Sequence, residues 1–184
     1  MRAFGSGISQ PASGSRRGRS CGCADRTFCE EEKDKLTEKK NAIYFSYIQK
    51  LTPGDVDPEI CDVLRWLRES GVRLAIGSCS KNARTVLQKT GLRVFFDVVA
   101  DGTMITRAKP DPQVFLLAAE LLDCPPADCL VVEDARSGIE AAKAGGMKAV
   151  LYGQTEVSEL ADYVITRFSE LRAIIAGEAV NPVM

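Results

Sequence analysis

The stretch that decides the fold is Leu130-Val131-Val132-Glu133-Asp134, followed directly by Ala135-Arg136-Ser137-Gly138. Its first half is a short β-branched run, which predicts a strand, and an alanine-rich helix through Lys143 is predicted after the turn. In a parallel α/β sheet, ligands bind at the carboxyl ends of the strands. Two adjacent carboxylates at such an end repel each other unless a cation or hydrogen-bond donors satisfy them. The stretch therefore predicts a metal site, although Asp134 could instead cap the helix.

Strands and helices alternate along most of the remaining chain. Apolar runs predict four further strands, at Val72–Ile76, Phe95–Ala100, Lys148–Tyr152 and Tyr163–Ile165. Helical spacing of apolar residues predicts helices at 30–51, from 57 to 70, after 82, at 113–122 with Phe115 and Leu116 inward, and at 169–176. This alternation predicts an α/β fold in which helices cover both faces of a parallel sheet.

Composition narrows the function classes. The 184 residues are 45% hydrophobic and 27% charged with a net charge of −1, which is ordinary for a globular chain and gives no sign of nucleic-acid binding. No apolar run approaches the roughly 18 residues that a transmembrane helix needs. Histidine is absent, so Ser-His-Asp and Cys-His catalysis are excluded. Seven cysteines without an export signal predict reduced thiols and a cytoplasmic location.

The predicted strand ends bring a hydroxyl, an ammonium and two carboxylates to one edge of the sheet. Ser78 follows the first strand, Lys109 lies on the next loop, and Glu133 and Asp134 end the strand quoted above. A hydroxyl and a lysine suit the oxygens of a phosphoryl group, and carboxylates suit Mg²⁺. Each residue also has a structural alternative: Ser78 could cap a helix, and Lys109 could be a solvated loop lysine.

Three motifs add a family resemblance. Gly77-Ser78-Cys79-Ser80-Lys81-Asn82, Lys109-Pro110-Asp111-Pro112 and the stretch 131–138 resemble motifs II, III and IV of the haloacid dehalogenase (HAD) superfamily, and more narrowly those of its β-phosphoglucomutase group. The resemblance covers about Glu30 to Gly153. It implies a HAD-like, Rossmannoid, three-layer α/β/α fold with the remnant of a helical cap.

The resemblance also implies roles for individual residues. Ser78 and Lys109 would contact the transferring phosphoryl group, and Glu133 and Asp134 would hold Mg²⁺. The remaining candidates would bind substrate: Ser80, Lys81 and Asn82 at the distal phosphate, and Lys40 and Asn41 from the cap. The implied partner is a small sugar phosphate, with no nucleic acid or membrane, and the chain is expected to be a monomer.

The first motif of the superfamily, a strand ending in Asp-x-Asp-Gly, is absent. Its first Asp would be the nucleophile and its second the general acid/base. Two look-alikes are set aside: Asp55 and Asp57 fall in a turn and cap, and Asp97 and Asp101 are four residues apart at an edge strand. Since the motif-I strand is central in the family's sheet, we expect the strands at 72–76 and 129–132 either to pair directly or to leave a gap between them.

The domain boundaries follow from these assignments. Residues 1–27 contain four arginines and much Gly and Ser, so this segment is predicted to be disordered or irregular. Residues 28–52 are assigned to the cap remnant and 53–184 to the HAD-like core. The N-terminal composition would fit a truncated or frameshifted reading. The expected function is β-phosphoglucomutase-like transfer between β-glucose 1-phosphate and glucose 6-phosphate in a complete member, inactive in this chain. The alternatives are a sugar-phosphate phosphatase and a non-catalytic sugar-phosphate-binding protein.

Overall fold

The chain divides into two compact units, Met1–Ser9 with Thr52–Met184, and Gln10–Leu51. The computed structural model describes residues 3–6, 42–153 and 158–177. In the second unit it describes one helix, α1, at residues 42–50. Ile48 of α1 is buried, whereas Ile43 and Tyr47 are exposed, so the predicted apolar stripe is buried only in part. Lys40 and Asn41 lie outside the described residues.

The first unit is built on one six-stranded sheet whose paired strands are all parallel. The spatial order is β3-β2-β1-β4-β5-β6. The strands are β1 (Ala3–Ser6), β2 (Arg73–Gly77), β3 (Val98–Ala100), β4 (Cys129–Glu133), β5 (Lys148–Tyr152) and β6 (Tyr163–Ile165). Each predicted strand is present, and the predicted parallel α/β fold is confirmed.

Among the described residues of this unit, four helices lie between strands in the chain and a fifth follows β6: α2 (Pro58–Glu69), α3 (Ala83–Lys89), α4 (Gln113–Leu121), α5 (Arg136–Ala144) and, last, α6 (Leu171–Ala176). The start of α2 follows from its sequence, because Asp57 accepts a hydrogen bond from the Glu59 amide at 2.9 Å and Pro58 fills the first helical position. Asp55 accepts bonds from the amide and hydroxyl of Thr52, both at 2.8 Å. This first Asp-x-Asp look-alike is therefore a turn and a cap, as predicted.

Helices cover both faces of the sheet, because successive strand residues point to opposite sides. One core packs α4 and α5 on the sheet through Ala75, Val131 and Ala149. The other packs α2, α3 and α6 on the opposite face through Leu74, Leu130 and Val150. The result is the three-layer α/β/α architecture. Phe115 is buried as expected, but Leu116 is 39% exposed and does not point inward.

The centre of the sheet corrects one expectation. Strand β1 lies between β2 and β4, where direct pairing or a gap was expected, and pairs Phe4 with Leu74 on one side and with Leu130 on the other. Its sequence, Ala-Phe-Gly-Ser, contains no carboxylate, so the motif-I sequence is absent although a strand fills its position. The physical reason is that a ladder needs only backbone groups, and unpaired buried backbone is costly whatever the side chains.

The edge of the sheet also departs from the sequence prediction. The run predicted as one strand at Phe95–Ala100 is split into a 3-10 turn, Leu92–Phe95, and the three-residue β3. Asp97 separates them because its carboxylate accepts the Leu74 amide at 2.8 Å while its own amide donates to the Leu74 carbonyl at 2.8 Å. Across residues 3–6, 42–153 and 158–177, no helix is long and apolar enough to span a membrane.

Candidate active site

The candidate site lies at the carboxyl edge of the sheet, as the sequence predicts. Ser78 directly follows β2, and Glu133 is the last residue of β4. Only β1 separates these two strands, and all three are parallel. Their carboxyl ends therefore face the same side of the sheet, which is where ligands bind in α/β folds.

An ion pair between Lys109 and Glu133 forms the centre of the site. The Lys109 ammonium donates to Oε1 of Glu133, across 24 residues of sequence. The two side chains are only 13% and 2% exposed. Lys109 is therefore not a solvated loop lysine, and burial makes the loss of either partner expensive for the other.

The protonation of Glu133 reflects this buried position. Burial raises the pKa of the Glu133 carboxyl above its ordinary value. The Lys109 ammonium opposes that effect, and the neighbouring Asp134 carboxylate adds to it. The net pKa remains raised, so Lys109 offsets only part of the cost of holding this charge away from water.

Gly138 makes room for the Glu133 carboxylate. A Cβ at position 138 would lie 2.3 Å from Cδ and 2.4 Å from Oε2 of Glu133, which is far inside van der Waals contact. Because Gly138 lies in the first turn of α5, glycine lets the helix start pack directly on the carboxylate. No role was predicted for this glycine from the sequence; the local signal for it is a glycine five residues after Glu133, in the first turn of the predicted helix.

Phe115 connects the lysine to the strand that bears Ser78. The Lys109 ammonium lies 4.4 Å from the centroid of the Phe115 ring, within the range of a cation–π contact. On the same ring, Cδ1 would be only 2.7 Å from a Cβ at Gly77. Thus Phe115, predicted only as a core residue, packs against both the end of β2 and the lysine.

The motif-II loop holds its two serine hydroxyls in a defined orientation. The Ser78 Oγ accepts the Ser80 amide at 3.2 Å, and the Ser80 Oγ accepts the Asn82 amide at 3.2 Å. A serine hydroxyl has one proton to donate and two lone pairs. Since a lone pair of each oxygen is occupied by an amide, each proton remains available to donate to an anion.

The structural alternatives weighed for two of these residues are not what the fold shows. The N-cap position of α3 is Asn82, which makes no side-chain cap bond, rather than Ser78. The residue that caps α5 is Ala135, with no side-chain cap bond, rather than Asp134. Lys81 is exposed and Asn82 half-buried on the same loop as Ser78, while Lys40 and Asn41 fall in a segment outside the described ranges.

The carboxylates predicted from the sequence to hold Mg²⁺ are Glu133 and Asp134. Among the residues that the structure describes, no group of three or more Cys, Asp or Glu side chains converges on a point. Glu133 is already paired with Lys109. Mg²⁺ is often held by one or two carboxylates together with substrate phosphate and water. These residues therefore fit Mg²⁺ only when phosphate oxygens complete the shell.

Comparison with known proteins places the chain in a family. The family model "haloacid dehalogenase-like hydrolase" matches residues 16–146, which is more than half of the chain. The chain belongs to the haloacid dehalogenase-like hydrolase family. This confirms the sequence-based assignment and the HAD-like fold. The chain therefore belongs to a family of enzymes.

The relatives of the chain include a β-phosphoglucomutase and a phosphatase. The β-phosphoglucomutase of Bacillus subtilis (strain 168) is 39% identical over 150 residues, which are 82% of this chain and 66% of that protein. A phosphorylated carbohydrates phosphatase of Thermotoga maritima is 32% identical over 126 residues, covering 67% of this chain and 55% of its own length. The crystal structure of a β-phosphoglucomutase from Clostridium difficile superposes with a TM-score of 0.74 at 33% identity, covering 83% of this chain and 68% of that one. The chain thus spans less than two thirds of the length of these two curated relatives.

Proposed function

We propose that this chain is a β-phosphoglucomutase-like protein that recognises a sugar phosphate at the carboxyl edge of the sheet and does not turn it over. The observation that carries the proposal is the buried Lys109–Glu133 pair, which lies at the same edge of the sheet as the oriented Ser78 hydroxyl. A lysine with a buried carboxylate partner is held in one position, where it can neutralise a phosphate oxygen. A phosphate-binding arrangement is therefore supported without the nucleophile that turnover requires.

Each residue has a defined task in this proposal. The Ser78 hydroxyl donates to one phosphate oxygen, and Lys109 neutralises the charge on another. Ser80, Lys81 and Asn82 take the distal phosphate. Glu133 and Asp134 are the residues that would hold Mg²⁺, and the ion would supply further neutralisation of the phosphate charge. No residue of the printed sequence supplies an Asp-x-Asp-Gly, so no aspartyl-phosphate is assigned.

A sugar-phosphate phosphatase is the second candidate. The relative from Thermotoga maritima, named for phosphorylated carbohydrates, supports it. The same lysine, serine and carboxylates would serve a hydrolase, because phosphoryl-transfer sites work mainly by positioning and charge stabilisation. The two activities differ in the acceptor of the phosphoryl group, which is a sugar hydroxyl in one and water in the other.

The test is to incubate the purified chain with β-glucose 1-phosphate and Mg²⁺ and to follow phosphorus NMR. We expect no new phosphorus signal over hours, together with a shift of the substrate resonance that reports binding. Formation of glucose 6-phosphate would establish a mutase and overturn the inactivity proposed here. Release of inorganic phosphate would establish the phosphatase. Absence of any shift at millimolar ligand would overturn sugar-phosphate recognition altogether.

A serine variant tests the proposed phosphate contact. Replacement of Ser78 by Ala should weaken glucose 6-phosphate binding by about tenfold, because it removes one hydrogen bond to a charged group. The matched control is Thr90→Val. Both hydroxyls belong to residues that are 9% exposed, but that of Thr90 donates to the Val86 carbonyl at 2.8 Å at the far end of α3. Calorimetry should show near-normal affinity for the control. Equal affinity for both variants would remove Ser78 from the site.

A monomeric state and a cytoplasmic location belong to the same proposal. Four cysteines of the described ranges, Cys61, Cys79, Cys124 and Cys129, are free thiols. Reduced thiols are the ordinary state in the cytoplasm. Burial raises the pKa of the Cys129 thiol to about 12, so this group stays protonated and unreactive at neutral pH.

A further inference from the structure

The segment at the end of β3 is hydrogen-bonded to the motif-II loop, residues 78–82. The segment that ends β3 and follows it, residues 99–103, runs beside residues 78–84. Two backbone bonds join them: the Ser78 amide donates to the Ala100 carbonyl at 3.0 Å, and the Gly102 amide donates to the Ser80 carbonyl at 3.2 Å. The backbone of the loop that holds the serine hydroxyls is therefore fixed in part by residues that come from a different strand.

Arg84 ties the same two segments together through its side chain. From the first turn of α3, its Nε donates to the Asp101 carboxylate at 2.7 Å and its Nη2 donates to the Val99 carbonyl at 2.7 Å. Asp101 is only 1% exposed, and its other oxygen accepts the Thr103 amide at 2.9 Å. Burial by itself would raise the pKa of Asp101, but the bonds from Thr103 and Arg84 outweigh it and the pKa is lowered. Asp101 is thus a buried charge at neutral pH that is held by Thr103 and by the Arg84 guanidinium.

Gly102 shows how closely the two segments approach. A Cβ at this position would lie 2.2 Å from the Cys79 carbonyl oxygen and 3.0 Å from the Lys81 amide nitrogen. Both atoms belong to the backbone of the motif-II loop and cannot rotate away. A shift of Gly102 toward the motif-II loop would therefore press on the peptide units between Ser78 and Asn82.

We propose that the Arg84–Asp101 pair is a positioning device that sets the backbone of the Ser78–Asn82 loop for phosphate binding. The pair acts through Gly102 and Ser80 and does not itself touch the ligand. This inference rests on the proposed function for the identity of the ligand. Its structural part, the order of the loop, is measurable in the ligand-free chain.

The test compares Arg84→Gln with Arg68→Gln. The two arginines are closely matched: Arg68 also bonds one carboxylate and one carbonyl, Asp97 at 3.2 Å and Phe95 at 2.7 Å, but at the start of β3. In Arg84→Gln we expect faster amide exchange in peptides covering 78–82 and 100–103 and about tenfold weaker glucose 6-phosphate binding, as for one lost charge-assisted bond. In Arg68→Gln, the amide exchange of these peptides and the affinity for glucose 6-phosphate should both stay within about twofold of the original chain, even if the melting temperature of the variant is lower. Arg84→Lys keeps the positive charge but not the planar guanidinium that bonds two acceptors, so its amide exchange and affinity should fall between those of the two Gln variants.

The outcomes separate the two proposals. Unchanged loop exchange in Arg84→Gln overturns the positioning role, even if the melting temperature falls. Faster exchange with unchanged ligand affinity also overturns it. If the original chain binds no glucose 6-phosphate, the proposed function fails, and loop exchange alone then decides whether the pair orders the loop. Should Arg84→Gln not fold, Asp101→Asn supplies the same comparison against Asp97→Asn.

Discussion

Replacement of Lys109 by Met is expected to lower the free energy of unfolding by about 3–5 kcal/mol near neutral pH, because it leaves a buried carboxylate without its partner. Methionine keeps the apolar length of the side chain, so the contact with the Phe115 ring is largely preserved. The substitution removes the positive charge that faces the Glu133 carboxylate, and that carboxylate side chain is only 2% exposed. Urea unfolding followed by circular dichroism, with a chelator present, measures the effect.

The pH dependence identifies the cause. Burial already raises the pKa of Glu133 above its ordinary value of 4.5, and the Lys109 ammonium opposes that shift. Without the lysine the folded-state pKa rises further, so the folded chain binds a proton that the unfolded chain releases. Stability then falls as pH rises from about the ordinary value through the raised one. The deficit of the variant should therefore be small near pH 4 and largest near pH 8, with those limits set roughly by linkage.

Lys143→Met is the matched control for this experiment. Its ammonium pairs with Asp162 at 2.8 Å, but those side chains are 41% and 32% exposed. Exposed pairs contribute about 0–1 kcal/mol, so the control should lose little stability at any pH. A deficit in Lys109→Met that equals the control's, or that does not change with pH, would contradict a buried charge at Glu133.

Replacement of Phe4 by Pro is the second large expected effect, because proline removes a ladder hydrogen bond in the middle of a sheet. The buried partner left unpaired by itself costs about 1–3 kcal/mol. Phe4 lies inside β1 and pairs with both Leu74 and Leu130. Proline has no amide proton and is tolerated in a strand mainly at its first residue or at an edge. The matched control is therefore Ala3→Pro, at the first residue of the same strand, which should cost much less.

Thermal unfolding of the two proline variants decides whether this segment holds the centre of the sheet. Equal, small losses in both would mean that Ala3–Ser6 does not fill the position between β2 and β4. The expectation from the absence of motif I, direct pairing or a gap between β2 and β4, would then stand. A large loss of thermal stability in Phe4→Pro, without one in Ala3→Pro, would support a central strand at Ala3–Ser6. That strand would occupy the position of the family's motif-I strand but would lack its nucleophile.

The strands and caps of the α/β core were largely predictable because their signals are local. The Lys148–Tyr152 and Tyr163–Ile165 strands have the predicted bounds, since each is a short apolar run between polar or glycine residues. Asp57-Pro58 is a local start signal for α2 in the same way. The boundary errors fall where side chains from elsewhere intervene, as at Asp97, which takes the Leu74 amide and shortens β3.

The alternation of strands and helices, the carboxyl edge as the candidate site, and the types of residue at that edge could all be predicted from local patterns in the sequence. These follow from apolar periodicity and from the rule that parallel strands end on one side. Only the tertiary structure decided that Lys109 pairs with Glu133, that Gly138 makes room for that carboxylate, and that Arg84 reaches Asp101. It also decided that Ala-Phe-Gly-Ser forms the central strand, because that segment has little strand signal of its own and is paired on both sides by β2 and β4. The physical reason is the same in each case: contacts between distant segments depend on packing and backbone pairing, which no local pattern of residues records.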